Sequence, residues 1–288
     1  MAELWKGAPA AAALTEKLAA QAAGLREAGI VPTLAIVRVG ERPEDLSYER
    51  GAMKRCEKVG IAVKQFILSE DAPEGELLDV VARVNRDPAI HGCLLFRPLP
   101  RHMDEAAVCA ALDPAKDVDG ITAGSLAAVF SGGRRGYPPC TAQACMELLD
   151  HYGCDLTGKR AVVVGRSLVI GRPVAMLLLQ RNATVTLCHT RTADLAAECR
   201  RAEVLIAAAG RAGVIGADCL SPGQVVLDVG INVDEDGNLV GDVDREAAEH
   251  MVWALTPVPG GVGAVTTTVL ARHVLEAAAS AAGLPLSE

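Results

Sequence analysis

Three short stretches of the 288-residue chain carry residue types that could do chemistry. The first is VVVGRSLVIGRP, Val162 to Pro173, where an apolar run meets Gly165 and a second glycine, Gly171, follows. A strand, a glycine turn and a helix start in that order bring backbone N–H groups and a helix dipole to an anion. Arg166 and Ser167 stand in the turn, and Thr190 and Arg191 follow the next apolar run. In a doubly wound sheet the residue after the second strand lies near an adenosine ribose, where an acid holds a 2′-hydroxyl. His189-Thr190-Arg191 is polar and basic instead, which suits a 2′-phosphate. The second stretch, TPVPGGVG from Thr256 to Gly263, pairs prolines with glycines, so it can be rigid and still bring its backbone close to a flat ligand. The third is Lys116 to Gly120, KDVDG, whose aspartate could accept a bidentate pair from an amino-pyrimidine edge. For the glycine turn the alternative is a tight βα turn without ligand; for KDVDG it is a turn whose acids cap backbone N–H groups.

Positioning such groups requires a regular scaffold, and the patterning predicts one. Leu14, Leu18, Ala22 and Leu25 recur at helical spacing, so an amphipathic helix opens the chain. Strands are predicted at 33–39, 61–68 and 91–96, with helices at 46–59, 74–85 and 104–112 between and after them. Strand–helix alternation of this kind argues for a parallel sheet covered by helices. SGGRRGYPPC, residues 131–140, interrupts it as a domain boundary. Strands then resume at 161–164, 183–188, 204–208 and 225–229, Asp236-Gly237 marks a hairpin, and an Ala-rich helix is predicted over 266–281.

Composition limits the function classes. A formal net charge of −8 gives no field for nucleic acid or an anionic membrane, so no partner of either kind is expected. No apolar run is long enough to span a bilayer, and the start lacks a secretory signal pattern. The nine cysteines include no CxxC pair and read as buried reduced thiols, with no metal site and a cytoplasmic location.

Taken together, KDVDG (116–120), PPCTAQACMELL (138–149), VVVGRSLVIGRPVAMLLL (162–179), TVTLCHTRT (184–192), VVLDVGIN (225–232), GDVD (241–244) and TPVPGGVG (256–263) resemble the bifunctional methylenetetrahydrofolate dehydrogenase/cyclohydrolase family. The resemblance runs along essentially the whole chain. It implies an α/β fold of two α/β domains, the second a Rossmann-type doubly wound parallel sheet, with a cleft between them. The implied domains are a folate-binding catalytic domain, 1–139, completed by the helix 266–288, and an NADP-binding domain, 140–265. Also implied are a tetrahydrofolate derivative as substrate, NADP as cofactor and a homodimer. Tyr48 and Asp119 carry over as catalytic and substrate-binding residues, with Pro259, Gly260 and Gly261 on the substrate side; Arg97, next to a position that departs from the family, is a further candidate that could pair with an anionic group on an altered substrate. Gly165, Arg166, Ser167, Gly171, Thr190, Arg191 and Ile231 fall on the cofactor side.

Two positions depart from the family pattern. A YxxxK motif places a lysine four residues after the tyrosine, but here that residue is Ala52. The glutamine that would orient the lysine is replaced by Phe96, in LLFRPLP. Oxidation of 5,10-methylenetetrahydrofolate to the methenyl form is mostly a matter of positioning two rings. Hydrolysis of the methenyl group needs a side chain that can carry a proton. The expectation is therefore an NADP-dependent dehydrogenase lacking the usual cyclohydrolase pair. Full bifunctionality, or a non-catalytic folate- or nucleotide-binding relative, are the alternatives. Lys54 should face away from Tyr48, Arg55 should return to its side two turns on, and strand alternation should turn Arg97 from the side of Phe96.

Overall fold

The computed structural model describes residues 1–133 and 135–285. Arg134, in the expected boundary stretch, and residues 286–288 of the last expected segment lie outside the described residues. In chain order the elements are β1 (Glu3–Leu4), α1 (Gly7–Glu27), β2 (Thr33–Val39), α2 (Pro43–Val59), β3 (Ala62–Leu68), α3 (Glu74–Arg86), β4 (Gly92–Leu95), α4 (Glu105–Ala111), α5 (Ala123–Ser131) and α6 (Cys140–His151). There follow β5 (Arg160–Val164), α7 (Gly171–Gln180), β6 (Thr184–Cys188), α8 (Leu195–Arg200), β7 (Val204–Ala207), β8 (Val225–Asp228), β9 (Asn232–Val233), β10 (Leu239–Val240), α9 (Arg245–Met251), β11 (Ala254–Leu255) and α10 (Thr266–Ala281). They form two compact units, one of Met1–Ala12 with Thr141–Thr266, the other of Ala13–Cys140 with Thr267–Glu288.

The unit built on Ala13–Cys140 has a three-stranded parallel sheet in the order β3-β2-β4. All of β2 is buried, which fits TLAIVRV as a central strand with no polar face to spare. Ala35, Val37 and Val39 meet Leu77, Val81 and Val84 of α3, Val108 of α4, and Cys93 and Leu95 of β4. Leu34, Ile36 and Leu94, on the opposite face, are equally buried, so both faces are covered. Local signals set the helix ends. Pro43 starts α2, and Gly60 stops it in the left-handed region, its N–H returning to Cys56 O. Asp104 caps α4 by accepting from the N–H groups of Ala106 and Ala107.

The other unit has six parallel strands in the order β1-β11-β8-β7-β5-β6. The chain leaves β5 outward to β6 and then crosses back to β7, so the order reverses between β5 and β7. That reversal is the topological switch point of a doubly wound sheet, where ligands bind beyond the carboxyl ends of the strands. Val162, Val164, Leu205, Ala207 and Val226 supply its core with Cys199, Ile215, Ala248 and Leu255. Residues 1–12 group with this unit rather than with 13–139, as the sequence reading had them. Glu3 and Leu4 pair in parallel with Ala254 and Leu255 of β11, and the Trp5 ring stacks on Tyr152 with centroids 4.7 Å apart. A two-residue strand has no period to read, which is why patterning passed over it. The β9–β10 hairpin turns through Asp234, whose carboxylate accepts from the Asp236 and Asn238 N–H groups, and through Gly237 at φ 83°.

Candidate active site

Helix α2 carries Tyr48 half-buried, with its ring edge-on to Phe96 at a centroid distance of 6.0 Å and 80° between planes. Phe96 is buried just after β4, and Ala52, one turn beyond Tyr48, has no exposed surface at all. Neither has a side-chain hydrogen that exchanges with water. The neighbours do not replace the missing cation: Lys54 is exposed, and Arg55 is half-buried and donates to Thr15 Oγ1 at 2.5 Å. Arg97 precedes a cis peptide to Pro98 and pairs with Glu105 at 3.4 Å. Its positive charge also acts on the Asp119 carboxyl.

Both acids of KDVDG accept from backbone N–H groups. Asp117, fully buried, accepts from the N–H groups of Ile121 at 2.9 Å and Thr122 at 2.7 Å, so it is the capping acid. Asp119 is half-buried, and its carboxyl meets both the backbone N–H and the thiol of Cys140, the first residue of α6. Burial lifts the Asp119 carboxyl to about 6, offset in part by Cys140, raised further by Asp117 and lowered by Arg97. Burial and Asp119 together hold the Cys140 thiol well above its ordinary range, so it stays a donor. Val118 O lies 3.3 Å from that thiol and 2.9 Å from His273 Nδ1 on α10. Residues 119, 140 and 273 are too distant in sequence for spacing to have joined Cys140 and His273 to the aspartate.

At the carboxyl end of β5, Gly165 has φ 128°, and a Cβ there would collide with the carbonyl of Ala208. Gly171, which opens α7, could carry no Cβ either, because the Gly165 carbonyl occupies that space. The turn is thus closed to side chains on its inner side, and only glycines fit it. Ser167 Oγ accepts from the Ile170 N–H at 3.1 Å, which shapes the turn, while Arg166 and Ser167 themselves are exposed. After β6, the Arg191 N–H donates to His189 Nδ1 at 3.0 Å and the His189 N–H to Thr192 Oγ1 at 2.9 Å. These bonds hold the turn, leaving the side chains of Thr190 and Arg191 exposed at the carboxyl end of β6, beside the glycine turn. Exposed backbone, a helix start and basic side chains at a switch point fit a phosphorylated dinucleotide. Ile231, just past β8, is 69% exposed.

In TPVPGGVG the peptide between Val258 and Pro259 is cis, Gly260 has φ 101°, and its carbonyl accepts from the Gly7 N–H at 2.8 Å. Pro259 and Gly260 are exposed, whereas Gly261 is buried. Sequence reasoning assigned no role to Asp228 or Asp242. Both are buried, in a cluster of backbone donors at the ends of β7 and β8. The only sequence signal was an acid ending an apolar strand, LDVG, and the GDVD segment.

Comparison with known proteins places these features in context. Residues 5–119 match the tetrahydrofolate dehydrogenase/cyclohydrolase catalytic domain, and residues 139–282 match the NAD(P)-binding domain of the same name. The bifunctional protein FolD of Clostridioides difficile (strain 630) is 49% identical over 275 residues, 96% of each chain. The crystal structure of the bifunctional enzyme FolD, methylenetetrahydrofolate dehydrogenase/cyclohydrolase, from Campylobacter jejuni superposes with a TM-score of 0.94 at 36% identity, covering 97% of this chain and 99% of that one. A Trypanosoma brucei methylenetetrahydrofolate dehydrogenase-cyclohydrolase complexed with NADP and an inhibitor gives a TM-score of 0.91 at 32% identity, over 98% of both chains.

Proposed function

The chain belongs to the tetrahydrofolate dehydrogenase/cyclohydrolase family, and from that premise we propose that it oxidises 5,10-methylenetetrahydrofolate to the 5,10-methenyl form with NADP, and that its cyclohydrolase activity is weak or lost. The observation that carries the second half is the pair Ala52 and Phe96, both buried and both without a proton to give. NADP supplies the hydride acceptor. The residues at Gly165, Gly171, Arg166 and Ser167 would hold its phosphates, and Thr190 and Arg191 its 2′-phosphate. On the folate side, Asp119 accepts from the amino-pyrimidine edge and the Tyr48 ring offers a flat apolar face. Phe96 meets that ring edge-to-face. Holding and drying the reacting carbon is what hydride transfer requires. Attack by water on the product requires a proton carrier within hydrogen-bond reach, and none stands at either position.

The rival reading, full bifunctionality, is favoured by the description of the relatives as bifunctional and by Asp119, whose carboxyl at about 6 can exchange a proton near neutrality. One assay decides between them: methylenetetrahydrofolate-dependent NADP reduction followed together with decay of added methenyltetrahydrofolate. Reduction without decay above the uncatalysed rate supports the proposal, and enzyme-accelerated decay rejects it. The proposed assembly is a cytoplasmic homodimer, to be checked by light scattering. No helix among the described residues is long and apolar enough to cross a membrane.

A further inference from the structure

Beyond the carboxyl end of β7, three successive backbone N–H groups converge on one side chain. Ala209 donates to Asp242 Oδ2 at 2.6 Å, Gly210 to the same oxygen at 2.9 Å, and Arg211 to Oδ1 at 2.8 Å. Asn232 Nδ2 donates to Oδ1 at 3.0 Å, from just beyond β8. Asp242 is fully buried, and no cation among the described residues bonds it. Consecutive N–H groups turned to one point form a nest, a geometry that ordinarily receives an anion from outside. Here the chain fills the nest with its own carboxylate.

The carboxylate is itself fixed. Asp228, ending β8, accepts from the N–H groups of Gly230 at 3.0 Å, Asp242 at 2.9 Å and Val243 at 3.0 Å. Thr256, which opens the proline–glycine loop after β11, receives the Asp228 N–H at 2.8 Å. A Cβ on Gly230 would collide with the Asp242 carboxylate, and one on Gly241 with that of Asp228, so nothing bulkier than glycine fits around the clasp. Loops after three adjacent strands, β7, β8 and β11, are thereby tied together. The first of them begins at Ala208, whose carbonyl lies against Gly165 across the switch point.

We propose that Asp242 is a positioning residue for the dinucleotide site: by occupying the nest of Ala209, Gly210 and Arg211 it fixes the loop that forms the β7 side of the switch-point crevice. This rests on the reading of that crevice as the NADP site. Because the three N–H groups are consumed internally, they are not phosphate donors. The phosphates fall to the turn at 165–171, and the 208–211 loop acts as a rigid wall against which the cofactor is aligned. Asp242 touches no ligand; it acts through that wall.

The test uses the intact protein with Asp242→Ala and Asp242→Asn, reading NADP affinity by fluorescence titration beside the thermal midpoint and KM for the folate substrate. NADP Kd is expected to rise about tenfold to a hundredfold in Asp242→Ala, the range for a displaced positioning group. The folate KM should stay within about twofold. Formate, a carboxylate small enough for the emptied nest, should restore a large part of the affinity, whereas chloride at equal ionic strength should not. A merely structural role would give a lowered midpoint with no rescue by formate. That result overturns the proposal, as does a folded Asp242→Ala that binds NADP like the wild type. If the alanine variant does not fold, Asp242→Asn decides: it keeps one acceptor oxygen but turns an amide against the other N–H groups. A weakened Kd in that folded variant supports the proposal, and wild-type affinity overturns it. Failure of the wild type itself to bind NADP would reject the cofactor reading, and is read separately, before any variant.

Discussion

Restoring the family's proton-handling pair, Ala52→Lys with Phe96→Gln, gives the sharpest test, because the structure sets both its cost and its gain. Phe96 is 8% exposed, so its replacement forfeits about 2–3 kcal/mol of apolar burial. Loss of the edge-to-face contact with Tyr48 removes roughly 0.5–1.5 kcal/mol more. A lysine at Ala52, where no surface is exposed, gives up solvation, and that penalty lowers its pKa from the usual value toward neutrality. The two packing losses come to about 2.5–4.5 kcal/mol, below the ordinary domain stability of about 5–15 kcal/mol, so the double variant should fold with a depressed melting temperature. The same desolvation that destabilises the lysine makes it a useful acid and base. A positioned proton carrier contributes roughly a hundredfold to ten-thousandfold, so methenyltetrahydrofolate decay should rise by at least the lower figure. Hydride transfer, a matter of positioning, should fall less. The assay is decay of the methenyl chromophore with wild type, single variants and double variant at matched folded concentration. A folded double variant that still oxidises the methylene substrate, yet leaves decay at the wild-type rate, would refute the assignment of these two positions.

Three further outcomes follow from the same geometry. Gly165→Ala sets a side chain into positive φ and against the Ala208 carbonyl, a strain of about 1–3 kcal/mol before the collision; NADP affinity should drop at least tenfold with folate KM unchanged, and titration giving wild-type affinity would contradict the turn's role. Arg191→Glu should raise KM for NADP about tenfold to a hundredfold, the worth of a charge-assisted contact to phosphate, while NAD kinetics change little; equal effects on both cofactors would remove Arg191 from a 2′-phosphate site. The Asp119 carboxyl stands at about 6 against an ordinary 3.8, so the folded protein holds that proton more tightly than the unfolded chain. Stability assigned to this group is therefore full below about pH 3.8 and falls as pH rises to about 6, by up to about 3 kcal/mol. Urea unfolding of Asp119→Asn should accordingly improve relative to wild type between pH 4 and pH 7; a constant difference across that window would show that the carboxyl is not raised.

Much of the scaffold was legible because its elements obey simple periods. Strand β2 matches its expected span, 33–39, since seven apolar-dominated residues in a row suit only a strand covered on both faces. Helix α10 also coincides with 266–281, and the glycine turn at Gly165 was readable because strand, glycine and helix start are adjacent in the chain. The absence of lysine at Ala52 and of glutamine at Phe96 is likewise a fact of sequence alone. Contacts between residues far apart were not legible. Only tertiary structure brings Cys140 to Asp119, sets Tyr48 edge-on to Phe96, adds Glu3–Leu4 to a sheet whose other strands begin at Arg160, and closes the Asp242 carboxylate over three N–H groups of another loop. Periodicity reports which face of an element is apolar, and nothing more distant. The partner of a buried polar group is fixed by where folding leaves an unpaired donor, and that is decided only when the sheet order places one strand end beside another.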